Sequence, residues 1–362
     1  MKDIWIKEPK SSHKKKRNKA ISPRNFKSIL ERFAPQFQGY NQQDSQELLA
    51  YLLDGIHEDL NRVMTRPYIE DKDCDGTNDD CDSIESWKNY LMRNKSIIVD
   101  LFQGQLRNTL QCNMCHHKSV KFEPFMYLSL PIVSDENGSK SFTAKTLNEC
   151  LELYCKKEIL QGDNVWYCPK CKTHVSASKK LDLWMLPPIL IIHLKRFKVD
   201  HSSSTFCHST NRRTKLNNSI QYPIKNLDLS NMLQSSNHEK PIFDLYAISH
   251  HVGDLTSGHY TAQALNRNDN KWYNFNDSYC SPLSRDDIDL SFDDGDGVLS
   301  SSSSAYCLFY NRITYDKNDM MQHLNSICAP PPLVRRQTLK RPELWPHMQT
   351  YDDGQFRSFR RI

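Results

Sequence analysis

The sequence predicts an α+β fold. Three observations carry this: an amphipathic helical pattern early in the chain, a series of alternating strands late in it, and two Cys-x-x-Cys pairs, separated by 52 residues, that can clamp distant strands together.

In chain order, residues 1–23 form a basic lead-in. Residues 1–20 hold eight Lys/Arg against two acids, and the cluster His13-Lys14-Lys15-Lys16-Arg17 suits a nuclear signal, a nucleic-acid contact or simply a solvated face. From Asp44 to Val63, Leu48, Leu52, Ile56 and Leu60 recur at i+4, and Asp44 and Glu47 have capping-box spacing at the start of that helix. Glu70 to Glu85 carries eight acids and one lysine without apolar periodicity and is expected to be a mobile surface loop. Thr146 to Cys155 gives a second, shorter helical pattern. After Val165 the chain reads as strands at 180–184, 189–197, 243–250, 260–265, 271–275 and 305–310, split by Asn/Asp/Gly clusters. A second acidic insertion, Arg285 to Ser304, contains six aspartates and the serine run 300–304 and is also expected to be a loop. Residues 314–362, with Pro330-Pro331-Pro332 and scattered arginines, read as a mobile linker or docking tail.

Charge and composition narrow the function classes. The net charge of +5 splits into +6 over residues 1–20 and +4 over 329–362, leaving −5 for the interior, which argues against a nucleic-acid-binding body. No run approaches the ~20 apolar residues of a membrane span. The amino-terminal stretch has lysines but no apolar core of a secretory signal, so an intracellular protein is expected, cytoplasmic, nuclear or both. In that setting the twelve cysteines are thiols or metal ligands rather than disulfides.

Two motifs carry chemistry. Cys112-Asn113-Met114-Cys115 and Cys168-Pro169-Lys170-Cys171 each set two thiolates on one tight turn, and together they supply a four-cysteine shell for structural zinc with no position open for catalytic water. A single Cys-x-x-Cys would also suit redox chemistry; two polar, lysine-bearing turns favour the metal. The second motif is a predicted hairpin centred near residue 268, with Tyr260 opposite Asn276 and His259, Asn276 and Asp277 close in register. A histidine oriented by a carboxamide or carboxylate is two-thirds of a nucleophilic triad, although a histidine in a hairpin is also compatible with a structural role.

Taken in order, these segments resemble the catalytic domain of the ubiquitin-specific proteases, papain-like cysteine deubiquitinases. The resemblance is carried by Gly39-Tyr40-Asn41-Gln42-Gln43-Asp44-Ser45-Gln46-Glu47, Phe125-Met126-Tyr127-Leu128-Ser129-Leu130-Pro131, the two knuckles, and Leu186-Pro187-Pro188-Ile189-Leu190-Ile191-Ile192-His193-Leu194-Lys195-Arg196-Phe197. Tyr222-Pro223, Ser257-Gly258-His259-Tyr260-Thr261-Ala262, Trp272-Tyr273-Asn274-Phe275-Asn276-Asp277-Ser278 and Ala305-Tyr306-Cys307-Leu308-Phe309-Tyr310 complete it, over residues 24–313.

It implies a fingers–palm–thumb architecture with zinc tying the fingertips. It implies His259 as general base, Asn276 as third triad member and Asp277 as helper. Gln43, Asp44, Glu47, Gly258 and Tyr260 match the segments that meet ubiquitin and its basic tail, and ubiquitin and ubiquitinated proteins are the implied partners. The family's nucleophile lies in an upstream Asn-x-Gly-Asn-Thr-Cys-Tyr-Met-Asn box; here 41 residues precede Gln42 and none is cysteine. A thumb truncated on its N-terminal side is therefore expected, and no ubiquitin cleavage by the chain as it stands, since histidine and asparagine without a thiolate have nothing to activate. Three alternatives stay open: an incomplete stretch of an active deubiquitinase, a ubiquitin-binding pseudoenzyme or scaffold, and a zinc-stabilised nucleic-acid binder.

Overall fold

The computed structural model describes residues 21–70, 72–132, 145–200, 212–235, 240–254, 257–283 and 299–313. The basic cluster at 13–17, most of the second acidic insertion and the tail from 314 lie outside the described residues.

Helices dominate the first third. After α1 (Arg24–Phe33), α2 (Ser45–Leu60) begins at Asp44, whose Oδ1 accepts from the backbone N–H of Gln46 at 2.7 Å and of Glu47 at 3.3 Å. Capping satisfies amides that a helix start leaves without partners. Leu53 on α2 packs on Ile98 of α4 (Ile97–Phe102) and on Ile191 of the main sheet. The buried His57 ring, Nδ1 2.7 Å from Ser96 Oγ, ties α2 to the cap of α4.

Between them lies α3 (Asp79–Leu91), and here the expectation of a mobile acidic loop over 70–85 is corrected. Asp79, Asp80 and Asp82 occupy the first turn of α3, where the positive end of the helix dipole favours carboxylates, and Asp79 pairs with Arg107 at 2.7 Å. Cys74 forms a β-bridge with Val120. Acids that read as solvated filler are thus a helix start docked on a sheet.

That sheet forms the fingers. Strands β1 (Gly104–Cys112) and β2 (Lys118–Phe125) make a hairpin across the first knuckle; after β3 (Leu128–Pro131), α5 (Leu147–Tyr154) and β4 (Glu158–Leu160), a second hairpin, β5 (Trp166–Cys168) and β6 (Thr173–Val175), crosses the second knuckle into β7 (Ala177–Met185). Spatial order is β2-β1-β7-β4, with Cys112 opposite Ala177. Strands therefore begin well before Val165, earlier than the sequence pattern suggested. α5 opens with a full capping box: the Thr146 hydroxyl accepts from the Glu149 N–H, and the Glu149 carboxylate from the Thr146 N–H.

The palm follows: β8 (Ile189–Lys195), β9 (Phe197–Asp200), β10 (Arg212–Lys215), β11 (Ile220–Pro223), β12 (Leu227–Asp228), β13 (Ile242–Val252), β14 (His259–Asn266), β15 (Lys271–Asn276), β16 (Tyr279–Pro282), β17 (Leu299–Ser302) and β18 (Ala305–Arg312). The main sheet runs β16-β15-β14-β13-β18-β8-β3, with β12 paired to β13; only β3 is parallel to its neighbour, β8. Contrary to expectation, the serine run is not all loop: Ser300, Ser301 and Ser302 pair with Tyr222, Gln221 and Ile220. Leu128, Leu130, Leu190, Ile192, Leu194, Phe243, Leu308 and Tyr310 fill the core under the sheet. Among the described residues no helix is long and apolar enough to cross a membrane.

Candidate functional site

His259 opens β14 and Asn276 closes β15. In the β14–β15 hairpin Ala262 lies opposite Phe275, one residue off the predicted register, so continuing the pairing brings Asn276 opposite Thr261 rather than Tyr260. Residues directly opposite share a face, as do residues two apart on one strand, so the shift sets Asn276 on the same face as His259; the predicted register would have given that position to Asp277. The His259 Nε2–H donates to Asn276 Oδ1 at 2.8 Å, and Asp277, in a left-handed turn conformation, stands 3.8 Å from the same nitrogen. With Nε2 committed to Asn276, a neutral His259 ring carries its lone pair on Nδ1. The ring is half exposed.

Asp44 lies at the start of α2, on the other side of Tyr260. Its Oδ2 accepts from the Tyr306 hydroxyl at 2.5 Å while its Oδ1 caps the helix, and the Tyr260 hydroxyl accepts from the Ser45 N–H at 3.4 Å. One carboxylate thus fastens helix to palm. Burial, then the charge of Asp44, pushes the Glu47 carboxyl up. Burial likewise pushes the Tyr260 phenol up to about 12 and the Tyr306 phenol higher still, so both remain neutral hydroxyls. Gln43 does not join this cluster: its amide donates to Gln36 O at 2.7 Å. Two residues that sequence reasoning did not single out do belong to it. His251, opposite Tyr260, lies edge-on to the Tyr260 ring with centroids 4.8 Å apart, and Lys215 Nζ donates to the carbonyls of His251 and Gly253, both at 2.8 Å. Only the doubled histidine beside Gly253 hinted at this.

The knuckles meet at the fingertips. The ligand sulfurs of Cys112, Cys115, Cys168 and Cys171 all lie within 4.8 Å of one another, with Cys112–Cys171 at 3.9 Å and Cys115–Cys168 at 3.6 Å. Four thiolates about 2.3 Å from a tetrahedral zinc stand about 3.8 Å apart, so the cluster fits the ion. Backbone N–H groups of Cys115 and Met114 turned toward Cys112 hold its thiol down to about 7, while hydrogen bonding to neighbouring thiols, Cys115 first, pushes Cys171 up to about 12. Cys171 N–H also points at Cys168 Sγ, 3.5 Å away. Amides converging on sulfur suit thiolate ligands.

Comparison with known proteins identifies the family and the fold. The family model described as ubiquitin carboxyl-terminal hydrolase matches residues 1–310. Ubiquitin carboxyl-terminal hydrolase 2 of Gallus gallus is 39% identical over 308 residues, covering 85% of this chain and 76% of the relative; that of Homo sapiens is 36% identical over 307 residues, covering 85% and 45%. Against the human protein, therefore, the chain spans less than half the relative's length. Among solved structures, the SAGA Ubp8/Sgf11/Sus1/Sgf73 DUB module bound to ubiquitin aldehyde shares the fold at a TM-score of 0.54 and 24% identity, over 79% of this chain and 52% of that one. The same module bound to monoubiquitin matches at a TM-score of 0.53 and 26% identity, with the same coverage. A family match over most of the chain, with relatives above 35% identity, and a fold shared with a ubiquitin-bound enzyme lead to one conclusion: the chain belongs to the ubiquitin carboxyl-terminal hydrolases, in the cysteine-type class of ubiquitin-specific proteases.

Proposed function

We propose that this chain carries the base-bearing palm and the ubiquitin-binding face of a deubiquitinase, an enzyme that cuts the peptide or isopeptide bond at the ubiquitin C-terminus through a cysteine thiolate. The observation that carries the proposal is the 2.8 Å His259–Asn276 hydrogen bond at the solvent-facing edge of the palm. In this role His259 Nδ1 takes a thiol proton and later delivers it to the leaving amine, and Asn276 holds the ring; Asp277 is a nearby carboxylate that steadies an imidazolium. Asp44 and Glu47, with Gly258 and Tyr260, line the approach to the pair and suit a basic peptide tail. Gln43 reaches that tail only by leaving its present bond to Gln36.

The nucleophile is the part this sequence does not supply. It contains no Asn-Thr-Cys-Tyr box. Burial raises the thiols of Cys74, Cys150 and Cys155 to about 11 and that of Cys307 further; Cys280 is also raised. None of these five is a poised thiolate. By analogy with triad deletions in serine hydrolases, the loss of a nucleophile costs on the order of six powers of ten in turnover. We therefore infer that the 362-residue chain binds ubiquitin without cleaving it, and that the four-cysteine cluster holds a structural zinc ion.

The test pairs two measurements on the zinc-loaded chain: hydrolysis of a ubiquitin C-terminal fluorogenic amide, and titration with ubiquitin. No turnover together with saturable binding is expected. Turnover that disappears in His259→Ala would reveal a nucleophile within these residues, and absence of binding would overturn the ubiquitin-binding face.

A further inference from the structure

We propose that His251 is a positioning residue for His259: its buried ring is the wall on which Gly258 is seated, and that seat fixes the backbone carrying the histidine of the exposed His–Asn pair. The inference rests on reading His259 as the base.

The connection from β13 to β14 leaves at the Val252–His259 pair, and His259 is the first paired residue after it. A Cβ built on Gly258 would lie 2.0 Å from His251 Nε2, 2.6 Å from its Cε1 and 2.7 Å from the carbonyl oxygen of Asp254. Only a residue without a side chain fits against that ring. On the other side of His259, Tyr260 packs on the same imidazole. Both sequence neighbours of His259 therefore rest on one side chain, while His259 itself stands half exposed with Asn276 as its hydrogen-bonded partner.

The wall is itself fixed. His251 is 3% exposed, Phe197 meets its ring edge-on at 5.1 Å, and Lys215 clamps the carbonyls of His251 and Gly253. Its Nδ1 is buried without a hydrogen-bond partner among the described residues, so hydrogen bonding at Nδ1 does not account for the ring's placement. Burial and the ammonium of Lys215 favour the neutral ring, against the carboxylates of Asp44 and Asp254. A flat ring, buried and packed on both sides, is what a seat requires. Misplacing a catalytic group by 1 Å can cost on the order of a hundredfold, so fixing the backbone at 258 and 260 governs whether His259 meets Asn276.

The experiment uses the full chain labelled with 15N-histidine, reading the imidazole nitrogens of His259, identified by their loss in His259→Gln. The unmodified chain is expected to show a protonated Nε2 and a bare Nδ1. In His251→Ala the ratio of the two tautomers should fall roughly fivefold, the scale of one net hydrogen bond. His251→Phe, which keeps a flat ring, should restore it. Gly258→Ala should disturb the His259 signals strongly alone and less in the His251→Ala background. Unchanged His259 signals in His251→Ala, or equal effects of Gly258→Ala in both backgrounds, would overturn the proposal. Should His251→Ala not fold, unchanged signals in Gly258→Ala do so. The readout needs no ubiquitin: a chain that fails to bind ubiquitin refutes the functional reading and leaves the seat to be judged by its own signals.

Discussion

His193 sits inside the palm, its Nδ1 2.9 Å from Ser129 Oγ, its ring edge-on to Tyr306 at 4.8 Å, and its Nε2 buried without a hydrogen-bond partner among the described residues. Burial, and secondarily the charge of Lys195, hold its pKa down to about 4 against the pull of Asp44; burial also lowers His250 and His251. A base whose folded pKa lies below its unfolded value of about 6.5 takes up its proton on unfolding. Stability is therefore complete above about pH 6.5 and falls as the pH drops toward 4, by at most about 1.4 kcal/mol per unit for this residue. Urea midpoints should decline between pH 7 and 5, and His193→Gln should flatten that slope. At this scale much of the site was legible: His259, Asn276, Asp44 and the four cysteines stand in short motifs whose chemistry is local. The hairpin register was not: Asn276 was named as the partner of His259 by the resemblance, and the predicted pairing would have faced His259 with Asp277. The choice between Asn276 and Asp277 depends on a one-residue register, fixed by how the Asn266–Lys271 turn closes. The role of His251 also escaped sequence reasoning, because it arises from what Gly258 leaves empty.

Among elements, the junction of β8, β11 and β18 turns on Arg196. Its wholly buried guanidinium donates to the carbonyls of Ala305, Leu216, Asn218 and Ser302 at 2.5–3.0 Å, joining segments more than a hundred residues apart in sequence. Arg196→Met should cost about 3 kcal/mol in urea unfolding, since it leaves buried acceptors unpaired; Arg196→Lys, with fewer donors, should recover part of that loss. α2 and α5 were legible from periodicity and caps. α3 and β17 were not, for opposite reasons. The acids of α3 hide a helix start that gains a docking partner in Arg107, and the serines of β17 lack strand propensity but gain backbone pairing with β11. In both, tertiary contacts override local preference.

At the scale of the molecule, the large apolar core reaches from the palm into the roots of the fingers through Leu106, Phe125 and Leu183, and the fingertips lie beyond it. The palm rests on that core; among the described residues the fingertips have the small cluster of Cys112, Cys168 and Val175 with Cys115, Trp166 and Cys171 around them. One zinc ion per chain is therefore expected by elemental analysis, lost in Cys168→Ser, and chelation should lower the melting temperature by on the order of 5 °C. The α+β class could be read from the order of helices and strands, but the layering could not, because β1 and β7 meet across more than sixty residues. The place of β18 in the main sheet has a consequence for biosynthesis. It lies between β8 and β13, yet it follows both in the chain. While the ribosome is still making residues before Ala305, those two strands face an empty slot, each with a row of unpaired amides and carbonyls. The palm can zip shut only after β18 emerges from the exit tunnel, so until then the nascent chain offers open strand edges to chaperones and to other chains.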